Sequence, residues 1–244
     1  MQTQVHKQLN PTLRAPFKSY QPTSGEEFWD VVVRETAEAK RKLYADPCFK
    51  SLCDGTMPLN QYKEWLKETY HFTRNTPRFL SAAGSQVEDD KQFVRTRFFQ
   101  HAVEENGHHL MALKDLRNLG VDEESVKKTY PCAGTTAIVS MHYYLAHYTN
   151  PIGIFGAVFC FEGLAFDLCD QWAKNLKAHH GLSNNCLTFI ISHGHFDIEH
   201  IKEAKEVINH EVITETDRRD IIYTANKMYD YYRLTFEEIG QLKD

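Results

Sequence analysis

No two of the six cysteines, at positions 48, 53, 132, 160, 169 and 186, form a C-x-x-C pair. That spacing suits neither a disulfide framework nor a structural zinc site, and it makes a reducing, cytoplasmic setting the expectation. A basic stripe is also absent: 28 Lys and Arg mix evenly with 33 Asp and Glu for a net charge of -5, which argues against a nucleic-acid partner. The most apolar run, Ile152 to Phe161, falls well short of the roughly 20 residues that span a bilayer and leads into Glu162, so no membrane partner is expected. Strand-like alternation of apolar and polar residues is missing throughout.

What remains is helical. Segments between turn signals are long, rich in Leu, Ala, Glu, Lys and Gln, and apolar at helical spacing. Ser24-Gly-Glu-Glu27 predicts a capping box opening a helix to about Tyr44, after which Asp46-Pro47 and Asp54-Gly55 mark breaks. A second helix is predicted from Pro58 towards Ala83, disturbed at Pro77, and a third from Asp89 to Gly120. A short helix starts at Asp122, and further ones are predicted at about 133–149, 151–178, 184–210 and 215–241. The expectation is an all-α bundle of seven to eight helices in a single domain over 23–244, preceded by a flexible polar arm over 1–22 that contains Pro11, Pro16 and Pro22.

Three motifs carry chemistry. His193, Asp197 and His200 stand at i, i+4 and i+7 and share one helical stripe, a metal-ligating face or a solvated one, with His195 out of phase. In Val103-Glu-Glu-Asn-Gly-His108, Glu105 and His108 have the Glu-x-x-His spacing of di-metal carboxylate bundles; Glu104, four before His108, is an almost equal geometric choice. Gly107, inside the predicted helix, suggests a local distortion. Glu162 sits in a helix apolar on nearly every side, where a carboxylate is costly unless paired, protonated or bound to metal, and no basic residue lies within that run. Oxygen and imidazole ligands without thiolate suit two iron ions, or manganese, better than zinc.

Together these motifs resemble the haem-oxygenase-like di-iron oxidases and oxygenases over about residues 25–240, a group related to pyrroloquinoline-quinone synthesis protein C, the TenA proteins and the chlamydial p-aminobenzoate synthase-like proteins. The resemblance implies a haem-oxygenase-like fold and metal ligands at Glu105, His108, Glu162, His193, Asp197 and His200, with Glu104 as alternative to Glu105. It also implies two Fe(II)/Fe(III) ions, dioxygen as co-substrate and a homodimer. The implied substrate is a small amphipathic acid or amino-acid-derived molecule, undergoing oxidative decarboxylation, C–C cleavage or N-oxygenation in an apolar chamber with Phe79, Phe159 and Phe166 among its walls. The p-aminobenzoate branch consumes a tyrosine where this chain has Phe49, and it has a lysine where Trp172 stands, which argues against that activity. The alternative is a metal-free member of the same superfold in cofactor biosynthesis, a quinone-synthesis-like oxidase or a TenA-like hydrolase with Cys160 as candidate nucleophile.

Overall fold

A computed structural model describes residues 20–243, save the side chains of 195–198; the predicted arm over 1–22 lies almost wholly outside the described residues. Among those residues there are α-helices and short 3-10 turns but no strand. The helices are α1 (Phe28–Tyr44), α2 (Pro47–Asp54), α3 (Leu59–Thr73), α4 (Thr76–Gln86), α5 (Gln92–Glu104), α6 (His108–Asn118), α7 (Glu123–Lys127), α8 (Ala133–Tyr148), α9 (Ile154–His180), α10 (Thr188–Asn209) and α11 (Glu215–Ile239).

There are more helices than predicted because two long segments divide and one apparent break is itself a helix. Asp46 accepts the Phe49 amide at 2.9 Å, Pro47 occupies the first turn and Gly55 closes the helix at φ 73°, so the two signals read as breaks are the start and stop of α2. The 59–86 segment parts at Arg74 and Asn75, just ahead of Pro77 in the first turn of α4. The 92–118 segment parts at Gly107, whose φ of 107° lies where L side chains rarely go. At α1 the capping residue is Glu27, with no side-chain cap; instead Glu26 accepts from the Thr23 amide at 2.9 Å and its hydroxyl at 3.0 Å.

The long helix α9 forms the spine, packed along α10 on one side and α11 on the other. Gly156 lets α9 and α11 touch backbone to backbone, since a Cβ there would come within 2.0 Å of the Ile221 carbonyl oxygen. By length and composition Pro151–His180 could cross a membrane, but its most apolar window is 67% buried inside the bundle, as befits a core helix. Burying such a helix puts any polar residue it carries at the centre of the fold.

Candidate metal centre

Four helices converge on Glu162. The end of α5 supplies His101 and Glu104, with Glu105 as the residue that caps it. The chain then turns through Asn106 and Gly107, and α6 starts at His108. Glu105 and His108 are therefore not on one continuous helix. The left-handed glycine folds the chain so that the His108 amide bonds the Glu105 carbonyl at 3.3 Å and His108 Nδ1 lies 3.1 Å from Glu105 Oε1.

Glu162 comes from the middle of α9, and His193 and His200 from α10. The start of α10 is fixed by Asp115 of α6, fully buried, whose carboxylate accepts from the Thr188 amide at 2.8 Å, the Thr188 hydroxyl at 2.6 Å and the Phe189 amide at 2.8 Å. That clamp sets α10, and hence His193, against the helix that carries His108.

The ligating atoms fall into two groups, each gathered within 4.8 Å: His101, Glu105, Glu162 and His200 form one, and Glu105, His108 and His193 the other. Glu105 belongs to both. Glu162 Oε1 lies 3.4 Å from His101 Nε2, and Glu162 Oε2 lies 3.2 Å from His200 Nδ1. His193 donates Nδ1–H to the Phe189 carbonyl at 2.8 Å, which leaves Nε2 unprotonated in the neutral ring, the form in which imidazole binds metal. The rings of His108 and His193 are 4.9 Å apart, as are those of His101 and His200.

Charge explains the protonation of the cluster. Burial alone would push the His200 pKa down, but the Glu162 carboxylate outweighs it, with Glu105 and Glu104 adding to the effect, and raises it to about 9. His101 follows the same logic: burial opposes the charged ring, Glu162 favours it, and the net direction is upward. Burial would raise Glu105, yet the contact with His108 brings it below the ordinary carboxylate value. Burial depresses His193, which keeps that ring neutral. Carboxylates this deeply buried need a cation, and protonated imidazoles supply it here.

His101 Nε2 is buried and makes no hydrogen bond, although carboxylate oxygens lie at 3.4 and 3.8 Å. All donors are imidazole nitrogen or carboxylate oxygen, a set that suits iron. The residues fit the metal.

Of the residues singled out in the sequence, Glu105, His108, Glu162, His193 and His200 meet at this point. Glu104 stays partly exposed, 44% at its side chain, and its Oε2 approaches His200 Nε2 at 3.4 Å. The side chains of Asp197 and His195 lie outside the described residues. Sequence reasoning missed His101, whose one signal is its position four before Glu105, one helical turn away.

A cavity of about 120 Å³ opens beside the cluster. Glu105, Glu162, His101 and His193 are on its wall, and Trp65, Phe72, Phe79, Phe161 and Tyr232 make its apolar sides. Phe79 is a wall residue, but Phe159 and Phe166 are not among those that line it. Three before and four after Glu162, they share its side of α9, yet Phe159 packs edge-on against Trp29 at 4.8 Å and Phe166 is 52% exposed. Two further buried polar residues on the wall escaped sequence reasoning because neither belongs to a spaced motif. Glu68 accepts from the Cys132 amide at 3.1 Å, and burial pushes its pKa up. His142 donates Nδ1–H to the Ile138 carbonyl at 2.7 Å and stacks on Phe79 at 4.0 Å; burial lowers its pKa to about 4, so the ring is neutral.

Comparison with known proteins agrees with this geometry. Residues 63–233 match a family model described as iron-containing redox enzyme. A 4-aminobenzoate synthase from Chlamydia pneumoniae is 23% identical over 190 residues, covering 76% of this chain and 82% of the relative. Among solved structures, a domain of unknown function with a haem-oxygenase-like fold from Shewanella denitrificans superposes with a TM-score of 0.78 at 22% identity, covering 85% of this chain and 90% of that one. A TenA homologue from Pseudomonas syringae gives 0.74 at 13% identity, covering 92% and 100%. With the family model matching well over half of its length, the chain belongs to the iron-containing redox enzymes, on a haem-oxygenase-like fold.

Proposed function

We propose that the protein is a non-haem di-iron oxidase or oxygenase that uses dioxygen to act on a small amphipathic acid or amino-acid-derived molecule, by oxidative decarboxylation, C–C cleavage or N-oxygenation. The observation that carries this reading is the pair of ligand groups sharing Glu105. One carboxylate common to two sets is the arrangement that two neighbouring ions need. His108, His193, Glu162, His200 and the shared Glu105 would hold the two ions, and Asp197 is the further ligand that the sequence resemblance implies. Bound iron supplies the reduction of dioxygen and the oxidising power.

The chain's own residues do the rest. A charged His101 ring, its Nε2 3.4 Å from Glu162 and 3.8 Å from Glu105, offsets the charge of both carboxylates. The apolar wall of Phe72, Phe79 and Phe161 excludes water from the cluster and accepts the hydrophobic body of a substrate. Among the described residues no Lys or Arg lines that wall to receive a substrate carboxylate, so the iron-loaded cluster would be the place for its acid group.

Oxygen uptake by the anaerobically iron-loaded protein, followed with medium-chain fatty acids and with amino acids, tests the reading. Uptake should accelerate with at least one class of acid and fall at least about tenfold in His200→Ala; uptake indifferent to every acid, or unchanged in the variant, contradicts it.

The likeness to a TenA homologue favours a second reading, a metal-free member of the superfold in cofactor biosynthesis. Its hydrolytic form would need an available thiol, whereas Cys160 is fully buried, lies off the cavity wall and has its pKa pushed well up by burial. Formation of 4-aminobenzoate at the expense of a tyrosine is not open to Phe49, a buried ring packed against Trp172, Tyr232 and Phe236.

A further inference from the structure

We infer that the cavity selects a molecule bearing an O–H or N–H donor on a flat apolar body, and that Nε2 of His142 is the acceptor for that donor. His142 comes from α8, which supplies no member of the carboxylate and imidazole cluster. Between the two lies Phe72, its ring 5.8 Å from His142 and 4.9 Å from Phe161, the neighbour of Glu162. A ligand touching both ends would run along Phe72.

The ring is held for this role. Its Nδ1 sits 2.7 Å from the Ile138 carbonyl oxygen, which can only accept, so the ring proton is on Nδ1 and Nε2 carries a lone pair. No described residue donates to that nitrogen, although His142 is only 2% exposed. A donor that reaches that nitrogen from the cavity adds a hydrogen bond worth roughly 0.5–1.5 kcal/mol net. Stacking on Phe79 at 4.0 Å fixes the ring plane, and a phenylalanine could provide that packing as well. The imidazole nitrogen is therefore what packing leaves unexplained.

The surroundings decide the ligand's polarity. Glu68 on the same wall is a second acceptor, and the Thr76 hydroxyl lines the cavity buried and without a hydrogen-bond partner. With no Lys or Arg on the wall among the described residues and a neutral imidazole at this end, an anionic group is disfavoured here, while a phenol, alcohol, amide or amine is matched. The orientation, acid towards the cluster and donor towards His142, rests on the di-iron reading; the donor requirement does not.

The test uses the full chain in iron-loaded and metal-free forms, with 4-ethylphenol and its isostere 1-ethyl-4-fluorobenzene as probes, by calorimetry and by the fluorescence of the wall residue Trp65. The wild type should bind the phenol about five to ten times more tightly in both forms. That preference should vanish in His142→Phe, with the fluoro compound bound as before, and persist in part in His142→Gln, which keeps an acceptor. Glu68→Gln, which also keeps an acceptor, should retain it. Equal affinity for the two probes in the wild type, binding of neither, or a preference untouched in a folded His142→Phe overturns the inference. Should iron fail to load while the preference holds in the metal-free protein, the di-iron reading falls and the donor site stands.

Discussion

The Glu162 carboxylate, carried to the centre of the bundle on an apolar helix, lies 3.2 Å from Nδ1 of His200, 38 residues further along the chain. The contact holds a proton on the imidazole up to about pH 9 in the metal-free protein, against 6.5 for an unperturbed histidine.

That relationship fixes the sign of a pH effect. Because the folded-state value is raised, the stabilisation from His200 is fully present below about pH 6.5 and is lost as pH rises towards about 9. Urea titrations of the metal-free protein should show a decline across that window. In Glu162→Gln the decline should flatten, and the His200 resonance followed by NMR should titrate at least one pH unit lower. The same titration in both proteins would show that Glu162 does not hold the proton.

Asp115 meets three donors at the start of α10 from a site without solvent access. Asp115→Ala strands them and should cost about 3 kcal/mol of unfolding free energy. Because the clamp also aligns His193 with His108, metal affinity should fall in the folded fraction. A loss under about 0.5 kcal/mol would mean that α10 is anchored elsewhere.

Gly107 joins α5 to α6 with nothing within 4 Å of where a Cβ would stand. Any effect of Gly107→Ala is thus due to backbone conformation rather than crowding. The cost should be about 1–2 kcal/mol in chemical denaturation, with metal affinity reduced because Glu105 and His108 flank the turn. Unchanged stability would show that the turn tolerates a side chain.

Much of the fold was legible because α8, α9, α10 and α11 are long, periodic and flanked by breakers such as Asn150-Pro151 and Gly181. The division at Gly107 was not, since a glycine can lie within a helix at modest cost or adopt positive φ, and only the tertiary path of α6 decides. Glu162 stood out through the contrast between one carboxylate and its apolar helix. His101 did not, because a histidine one turn before a glutamate is common on helix surfaces, and only the packing of α5 against α10 makes this one internal. Phe159 and Phe166 misled because helical phase puts them on the side of Glu162, whereas Phe159 is taken up by Trp29 and Phe166 faces solvent. His142 belongs to no pattern, and its place on the wall depends on how α8 meets α4.

Iron content per chain after anaerobic loading with Fe(II) and removal of unbound metal tests the two-ion centre most directly. About two ions should be retained by the wild type, and fewer than one by Glu105→Ala, because among the described residues Glu105 alone belongs to both ligand groups. A wild type that retains no iron, or a folded Glu105→Ala that retains the full complement, contradicts the account.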